Sequence, residues 1–328
     1  MSDETLLHFI RALLAQPTAP FHEDAVRGEI LQQLAQIPHV TAKLDEFGNV
    51  VAQYVHGNAG PGWAFAAHMD HPAYVFSGAA TTSSKPPGDG WEFLGGVPAE
   101  YREKNPPVRD FGAYAMWDLP ACEVREGRIY SRACDDLIGC AAILALFRAL
   151  ADAQVEANVY GLFTRAEEVG FIGAIQLARS ARIPKETTIV SLECSSERSP
   201  GAGRMGDGVI VRVGDYTSIF DDAATTALTH AAKEAKLAYQ RCLMSGGTCE
   251  ATAYQLYGYR CAALCVALGN YHNCGPETTI APEFVALSDV AGMVTLMQLA
   301  VTQAGPAEAQ AALRARLEKR VEDHRRFF

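Results

Sequence analysis

Seven side chains have the types and spacing for metal-assisted hydrolysis. His68 and Asp70 stand two apart in Ala67-His68-Met69-Asp70, and Asp135 opens the pair Asp135-Asp136. Glu167 and Glu168 are adjacent, Glu193 follows an apolar run at 188–192, and His272 lies in Gly269-Asn270-Tyr271-His272-Asn273. Each falls where a predicted strand ends or a helix begins, the edge at which open α/β sheets place ligands. Imidazole nitrogen and carboxylate oxygen are donors that suit zinc, with three protein ligands plus water usual at a catalytic site. Two ions roughly 3.5–4 Å apart need one bridging carboxylate and terminal ligands on either side. Asp135 can bridge; His68 and Glu193 would complete one ion, Glu168 and His272 the other. Two divalent ions are therefore expected, zinc first, with cobalt or manganese accepting the same donors. Residues i and i+2 of a strand point the same way, so Asp70 is placed to accept the free ring N–H of His68. Glu167 is then the carboxylate left over. Beside a metal ligand, it is placed to take a proton from water and deliver it to a leaving amine.

Singly, each group has an ordinary reading: a core histidine, a helix cap, a charged turn, a loop histidine. Five such coincidences at separate element ends favour one site. The elements that must position them follow from hydrophobic period. Apolar residues at helical spacing predict helices over 4–16, 23–37, 137–151, 170–182, 221–235 and 285–301. Short apolar runs predict strands at 40–44, 50–55, 63–67, 159–163, 188–192, 209–213, 238–243 and 262–268. Strands alternating with covering helices imply an α/β fold, its sheet mostly parallel or mixed with helices on both faces. From about residue 76 to 126 the texture changes: Ser, Thr, Gly and Pro dominate 77–90, and Asn105-Pro106-Pro107 follows. That stretch is expected to be a small inserted β-rich domain, dividing a catalytic domain of residues 1–75 and 127–328.

Composition bounds the rest. The 328 residues carry 28 Lys and Arg against 38 Asp and Glu, a net charge of −10, and 49% are hydrophobic, so the chain is globular and can bury a sizeable core. The acidic balance disfavours a nucleic-acid coat, which needs clustered basic side chains. No run approaches the roughly 18–20 apolar residues of a membrane span. The start, Met1-Ser2-Asp3-Glu4-Thr5, is acidic rather than basic as in a secretory signal, so a cytoplasmic protein is expected. Nine cysteines without a CxxC pair read as reduced, mostly buried thiols. Cys134, Cys194 and Cys274 adjoin candidate ligands, but alternation points Cys194 away from Glu193 and into the core. His71 could touch substrate or a metal, though packing is the simpler reading. The segment 307–326 reads as a charged helix, solvated or facing a subunit.

Together these motifs resemble the co-catalytic dizinc aminopeptidases of the glutamyl (tetrahedral) aminopeptidase type, within the zinc exopeptidase clan. The resemblance rests on Ala67-His68-Met69-Asp70, Cys134-Asp135-Asp136-Leu137-Ile138-Gly139, and the run from Thr164 through Glu167-Glu168-Val169-Gly170 to Gly173-Ala174. Ser245-Gly246-Gly247-Thr248 and Tyr271-His272 support it. It implies a phosphorylase/hydrolase-like catalytic domain, an inserted β-domain used in oligomerisation, exopeptidase activity with zinc or cobalt, and homo-oligomers. The sequence departs from the family pattern in places. His71-Pro72-Ala73-Tyr74 replaces an acidic, glycine-containing run, and Cys249-Glu250-Ala251 follows Thr248 where the family has Asp-Ala. The insertion is short, and Glu193 stands where many aminopeptidases have Asp. The expected function is a metal-dependent aminopeptidase acting on short peptides, with Glu167 as general base and acid. A deacylase or carboxypeptidase of the same clan, acting on acyl-amino acids or peptides, is the rival that Glu193 supports. A non-catalytic binding protein of the same fold is the second rival, and it should have lost ligands.

Overall fold

The computed structural model describes residues 2–78, 86, 88–104, 106–303 and 305–327. In chain order the elements are α1 (Asp3–Leu14), α2 (Asp24–Leu34), β1 (Val40–Leu44), β2 (Val50–His56), β3 (Pro61–His68), β4 (Ala73–Phe76), β5 (Trp91–Leu94) and α3 (Ala99–Arg102). Next come β6 (Val108–Asp110), β7 (Tyr114–Trp117), β8 (Glu123–Arg125), β9 (Arg128–Ser131), α4 (Leu137–Asp152), β10 (Ala157–Thr164) and α5 (Ile172–Arg179). Then follow β11 (Thr188–Ser196), β12 (Val209–Gly214), α6 (Asp222–Glu234), β13 (Tyr239–Leu243), α7 (Glu250–Leu256), β14 (Arg260–Leu268), β15 (Glu283–Ala286), α8 (Leu287–Thr302) and α9 (Pro306–His324).

Eight strands form the main sheet in the order β1-β2-β10-β3-β11-β14-β12-β13. Its centre, β10-β3-β11-β14, is parallel. Parallel strands must be covered on both faces, and β14 is accordingly buried at every position after Arg260. Alternate residues of β3 serve opposite faces. Phe65 and Ala67 belong to the core built with α1, α4, α6 and α8, while Ala64 and Ala66 belong to the core built with α5 and α7. Helix α4 is apolar on nearly every side and buried almost throughout, as a helix sandwiched in a core must be. Because the central strands run the same way, β3, β10 and β14 all end at one edge of the sheet.

A separate antiparallel sheet, β5-β4-β7-β6, runs from Ala73 to Trp117 and is held by a ring cluster of Tyr74, Phe93 and Trp117. Residues 79–85 and 87 of the expected Ser/Gly-rich stretch lie outside the described residues, as does Asn105. A third sheet, β15-β9-β8, joins the segment before α4 to the segment before α8. This sheet corrects the helix expected from residue 285. Val285 and Ala286 instead pair with Ile129 and Arg128, and helix begins only at Leu287. Helix α5 likewise starts later than expected, after Gly170 and Phe171 at positive φ. Strand β11 runs on to Ser196, so Glu193 lies within it rather than at its end. No helix among the described residues is long and apolar enough to cross a membrane.

Candidate metal centre

The sheet edge brings the donors together from five segments. His68 is the last residue of β3, Glu193 lies inside β11, Glu167 and Glu168 lie in the loop after β10, and His272 lies in the loop after β14. Asp135 comes from the turn before α4. It is joined to Asp136 by a cis peptide bond. Asp136 caps α4, its Oδ1 accepting the Gly139 N–H at 3.1 Å. Only glycine fits at that position, because a Cβ there would stand 2.3 Å from Asp136 Oδ2.

Donor atoms of His68, Asp135 and Glu193 lie within 4.8 Å of one another, and so do those of Asp135, Glu168 and His272. Asp135 belongs to both groups. Its Oδ1 is 3.4 Å from His68 Nε2 and its Oδ2 is 3.8 Å from His272 Nε2, so each carboxylate oxygen faces a different imidazole. His272 Nε2 is 3.2 Å from Glu168 Oε1. Asp135 Oδ1, Glu168 Oε1 and His272 Nε2 are buried without a hydrogen bond to the described residues. Buried polar atoms left in that state are costly, and clustered carboxylates repel. Divalent cations remove both penalties, and the donor set of two imidazoles and three carboxylates fits them. Glu167 lies beside the two triads: its Oε2 is 4.0 Å from His68 Nε2, and donor atoms of His68, Glu167 and Glu168 also lie within 4.8 Å of one another.

Charges in the site are strongly perturbed. Burial pushes Glu193 up to about 8, with His68 opposing and Asp135 adding. Burial also holds Glu167 well above the usual carboxylate range, again opposed by His68 and reinforced by Glu193 and Glu168. Burial alone would lower His272, but Glu168, Asp135 and Glu283 outweigh it and lift the ring to about 9.

Buried acids fix the loops. Asp70 does so differently from expectation. Its carboxylate accepts the Glu167 and Glu168 N–H groups at 3.0 and 3.1 Å, while His68 Nδ1 lies 3.1 Å from the Asp70 carbonyl and 3.6 Å from Oδ1. Strand β3 stops at His68, so strand alternation does not carry on to Asp70. Glu23 accepts the Phe21 and Ala166 N–H groups at 2.9 and 3.1 Å and the Arg165 Nε–H at 2.7 Å. The close seat of α5 on this loop requires Gly173, whose Cβ would stand 2.4 Å from the Arg165 carbonyl oxygen. Glu283 accepts three main-chain N–H groups, from Cys134, Asp135 and His272. His71 reaches no candidate ligand atom. Its Nδ1 lies 2.8 Å from the Asp135 carbonyl and its Nε2 3.1 Å from Asn273 Oδ1. Cys194 is buried, its Sγ 3.7 Å from Asp136 Oδ1. Sequence reasoning missed Glu23 and Glu283. Neither has a neighbouring motif, and only their burial as acids marks them.

Asp135, Glu167 and Glu193 line a pocket of about 80 Å³ together with Arg212, Met244 and Tyr271. The Arg212 guanidinium is buried, with Nε and Nη2 donating to the carbonyls of Gly214, Met244 and Gly247. Its Nη1 makes no hydrogen bond to a described residue.

Residues 105–286, over half of the chain, match the family model described as M42 glutamyl aminopeptidase. Among solved structures, the fold is similar to the TET1 peptidase of Pyrococcus horikoshii, at 20% identity and TM-score 0.73, covering 91% of this chain and 100% of that one. It is also similar to a TET aminopeptidase of a marine-sediment Thaumarchaeota archaeon, at 19% identity and TM-score 0.77, covering 94% and 99%. An aminopeptidase from Desulfurococcus kamchatkensis matches at 21% identity and TM-score 0.73, covering 94% and 98%.

Proposed function

The chain belongs to the M42 glutamyl aminopeptidase family, of metal-dependent aminopeptidases, and from that premise we propose how its own residues divide the work. His68, Asp135 and Glu193 would hold one divalent ion, and Asp135, Glu168 and His272 a second, zinc foremost with cobalt or manganese as substitutes. One observation carries the reading: Asp135 is common to two triads, and its Oδ1, Glu168 Oε1 and His272 Nε2 are buried without a hydrogen bond to a described residue. Bound there, the ions supply Lewis acidity, lowering the pKa of water and polarising a carbonyl. Glu167 faces the pocket beside the triads, takes the proton of the attacking water and returns it to the departing amine. Asp70 holds the backbone of Glu167 and Glu168 and Glu23 that of Ala166, so base and ligand share one anchored loop. The Glu167→Gln variant is expected to retain both ions by mass spectrometry while turnover falls about 10²–10⁴-fold. Full activity in that variant would overturn the role.

The substrate is proposed to be a short peptide with an acidic first residue. Arg212 supports this: it is a buried cation lining the same pocket as Asp135, Glu167 and Glu193, and a guanidinium is suited to a carboxylate. The same guanidinium, with Glu193, also favours a second reading, in which it grips the C-terminal carboxylate of a carboxypeptidase or deacylase substrate. A panel of glutamyl, leucyl and lysyl anilides beside N-acyl amino acids separates the two. Cleavage led by the glutamyl anilide supports the first reading, and cleavage confined to N-acyl substrates supports the second. The Pyrococcus horikoshii TET1 peptidase can assemble into a tetrahedron or a large octahedral shell. We extend self-association to this chain, with residues 76–126 as the inserted unit in contact. Nine cysteines without a disulfide favour a reducing compartment such as the cytoplasm.

A further inference from the structure

Two side chains outside the ligand set tie the loop of Asp135 to the loop of His272. Glu283 is fully buried. Its Oε2 accepts the N–H groups of Cys134 at 2.7 Å and Asp135 at 3.1 Å, and its Oε1 accepts the His272 N–H at 2.8 Å. His71, also buried, spans the same gap through the Asp135 carbonyl and the Asn273 side chain. Strand β15 presents Glu283 opposite Ser131 of β9, just ahead of the Asp135 turn, so strand pairing anchors the carboxylate.

The loop it holds does not keep its shape by itself. Asn270, His272 and Asn273 have φ of 54°, 55° and 61°. Residues with side chains persist in that left-handed region only when their surroundings hold them there. Asp135 must also keep its two oxygens on two different imidazoles, so a shift of one loop against the other would spoil one triad. His71 sits in the stretch that departs from the family pattern, so this chain supplies half of the tie with its own residue.

We propose that Glu283 and His71 are positioning residues that act as one brace, setting the Asp135 turn against the His272 loop and holding His272 for the ion it shares with Asp135 and Glu168. This rests on the two-ion reading above. The chemistry gives the brace a direction. Both oxygens of Glu283 are acceptors, whereas an amide offers one. In Glu283→Gln the carbonyl keeps the side with two N–H groups, and the NH₂ is turned onto the His272 N–H, donor against donor. The His272 side therefore gives way first.

The test is calorimetric titration of the chelator-stripped full-length chain with Zn²⁺, alongside unfolding of the stripped chain. The parent is expected to take up two equivalents. In Glu283→Gln one binding step weakens by about ten- to a hundredfold while the other is retained. Glu283→Asp, with two acceptor oxygens on a shorter arm, recovers part of the loss. His71→Phe, which fills the space but makes neither bond, weakens the same step, and it decides the matter alone if Glu283→Gln does not fold. If the parent binds two ions and the variants bind both as tightly, the brace is wrong and the two-ion reading stands. If the parent binds only one, the two-ion reading fails and the brace with it. A merely structural role would lower the unfolding temperature of the stripped chain and leave the zinc steps unchanged.

Discussion

Glu250 is a buried acid. It is 1% exposed, and neither carboxylate oxygen has a hydrogen bond to a described residue. Burial pushes it up to about 7, against the pull of nearby Thr164 and His68. Its folded pKa lies above an unfolded value of about 4.5, so its stabilising contribution is complete below that value and is lost as pH rises through 7. The loss is on the order of 3 kcal/mol. In chelator-treated protein, Glu250→Gln is therefore expected to melt several degrees above the parent near pH 9 and together with it near pH 5. Equal melting temperatures at both pH values would contradict the assignment. The seven candidate site residues can be proposed from sequence because their types fall at or near predicted element ends, although Glu193 lies inside β11. Glu23 and Glu283 cannot, since an acid's role as a main-chain clamp depends on which N–H groups approach it from distant segments.

At the scale of elements, the turn into α4 shows local sequence and site chemistry joined. Asp135 points to the imidazoles while Asp136 caps the helix, and Gly139 leaves the room the cap needs. Within an ordinary helix, Gly→Ala stabilises by about 0.4–1 kcal/mol. Here the sign should reverse. The added Cβ would meet the Asp136 carboxylate, so Gly139→Ala is expected to cost about 1–3 kcal/mol, read as a lower melting temperature. A melting temperature at or above the parent's would show that the turn yields freely. Helical period located α4 and α8 well, but not where α8 begins. Val285 and Ala286 continue the apolar pattern of α8 yet pair with β9, because an open strand edge offers them main-chain partners that no window of local sequence contains.

Across the whole molecule, the parallel centre of the sheet gathers the site at one edge, and the helices that cover it are nearly all buried on one side. Helix α9 is the exception. It packs against α6 near its start, where Ala309 is buried and Gln310 bonds Asp222, and from Arg314 onward its described side chains are largely exposed, Leu317 and Val321 among them. Removing residues 305–328 is accordingly expected to leave ion content and kcat near the parent's, within about twofold, because few buried contacts are lost. A tenfold fall in kcat would mean that α9 supports the site through an assembly, which size-exclusion chromatography of the same sample would reveal as a change in mass.

By itself the sequence determined which donors exist, their order along the chain, the alternation of strands with covering helices, and through its motifs the family. Those properties are carried by residue type and short-range period. Tertiary structure supplied the geometry by which Asp135 faces two imidazoles, and it alone showed that Asp70, beside the His68 ring, also clamps a loop and that Glu283 and His71 span the centre. Glu283 and Cys134 meet across 149 positions of chain. A bond of that kind is set by how the sheets stack, and local periodicity holds no record of it.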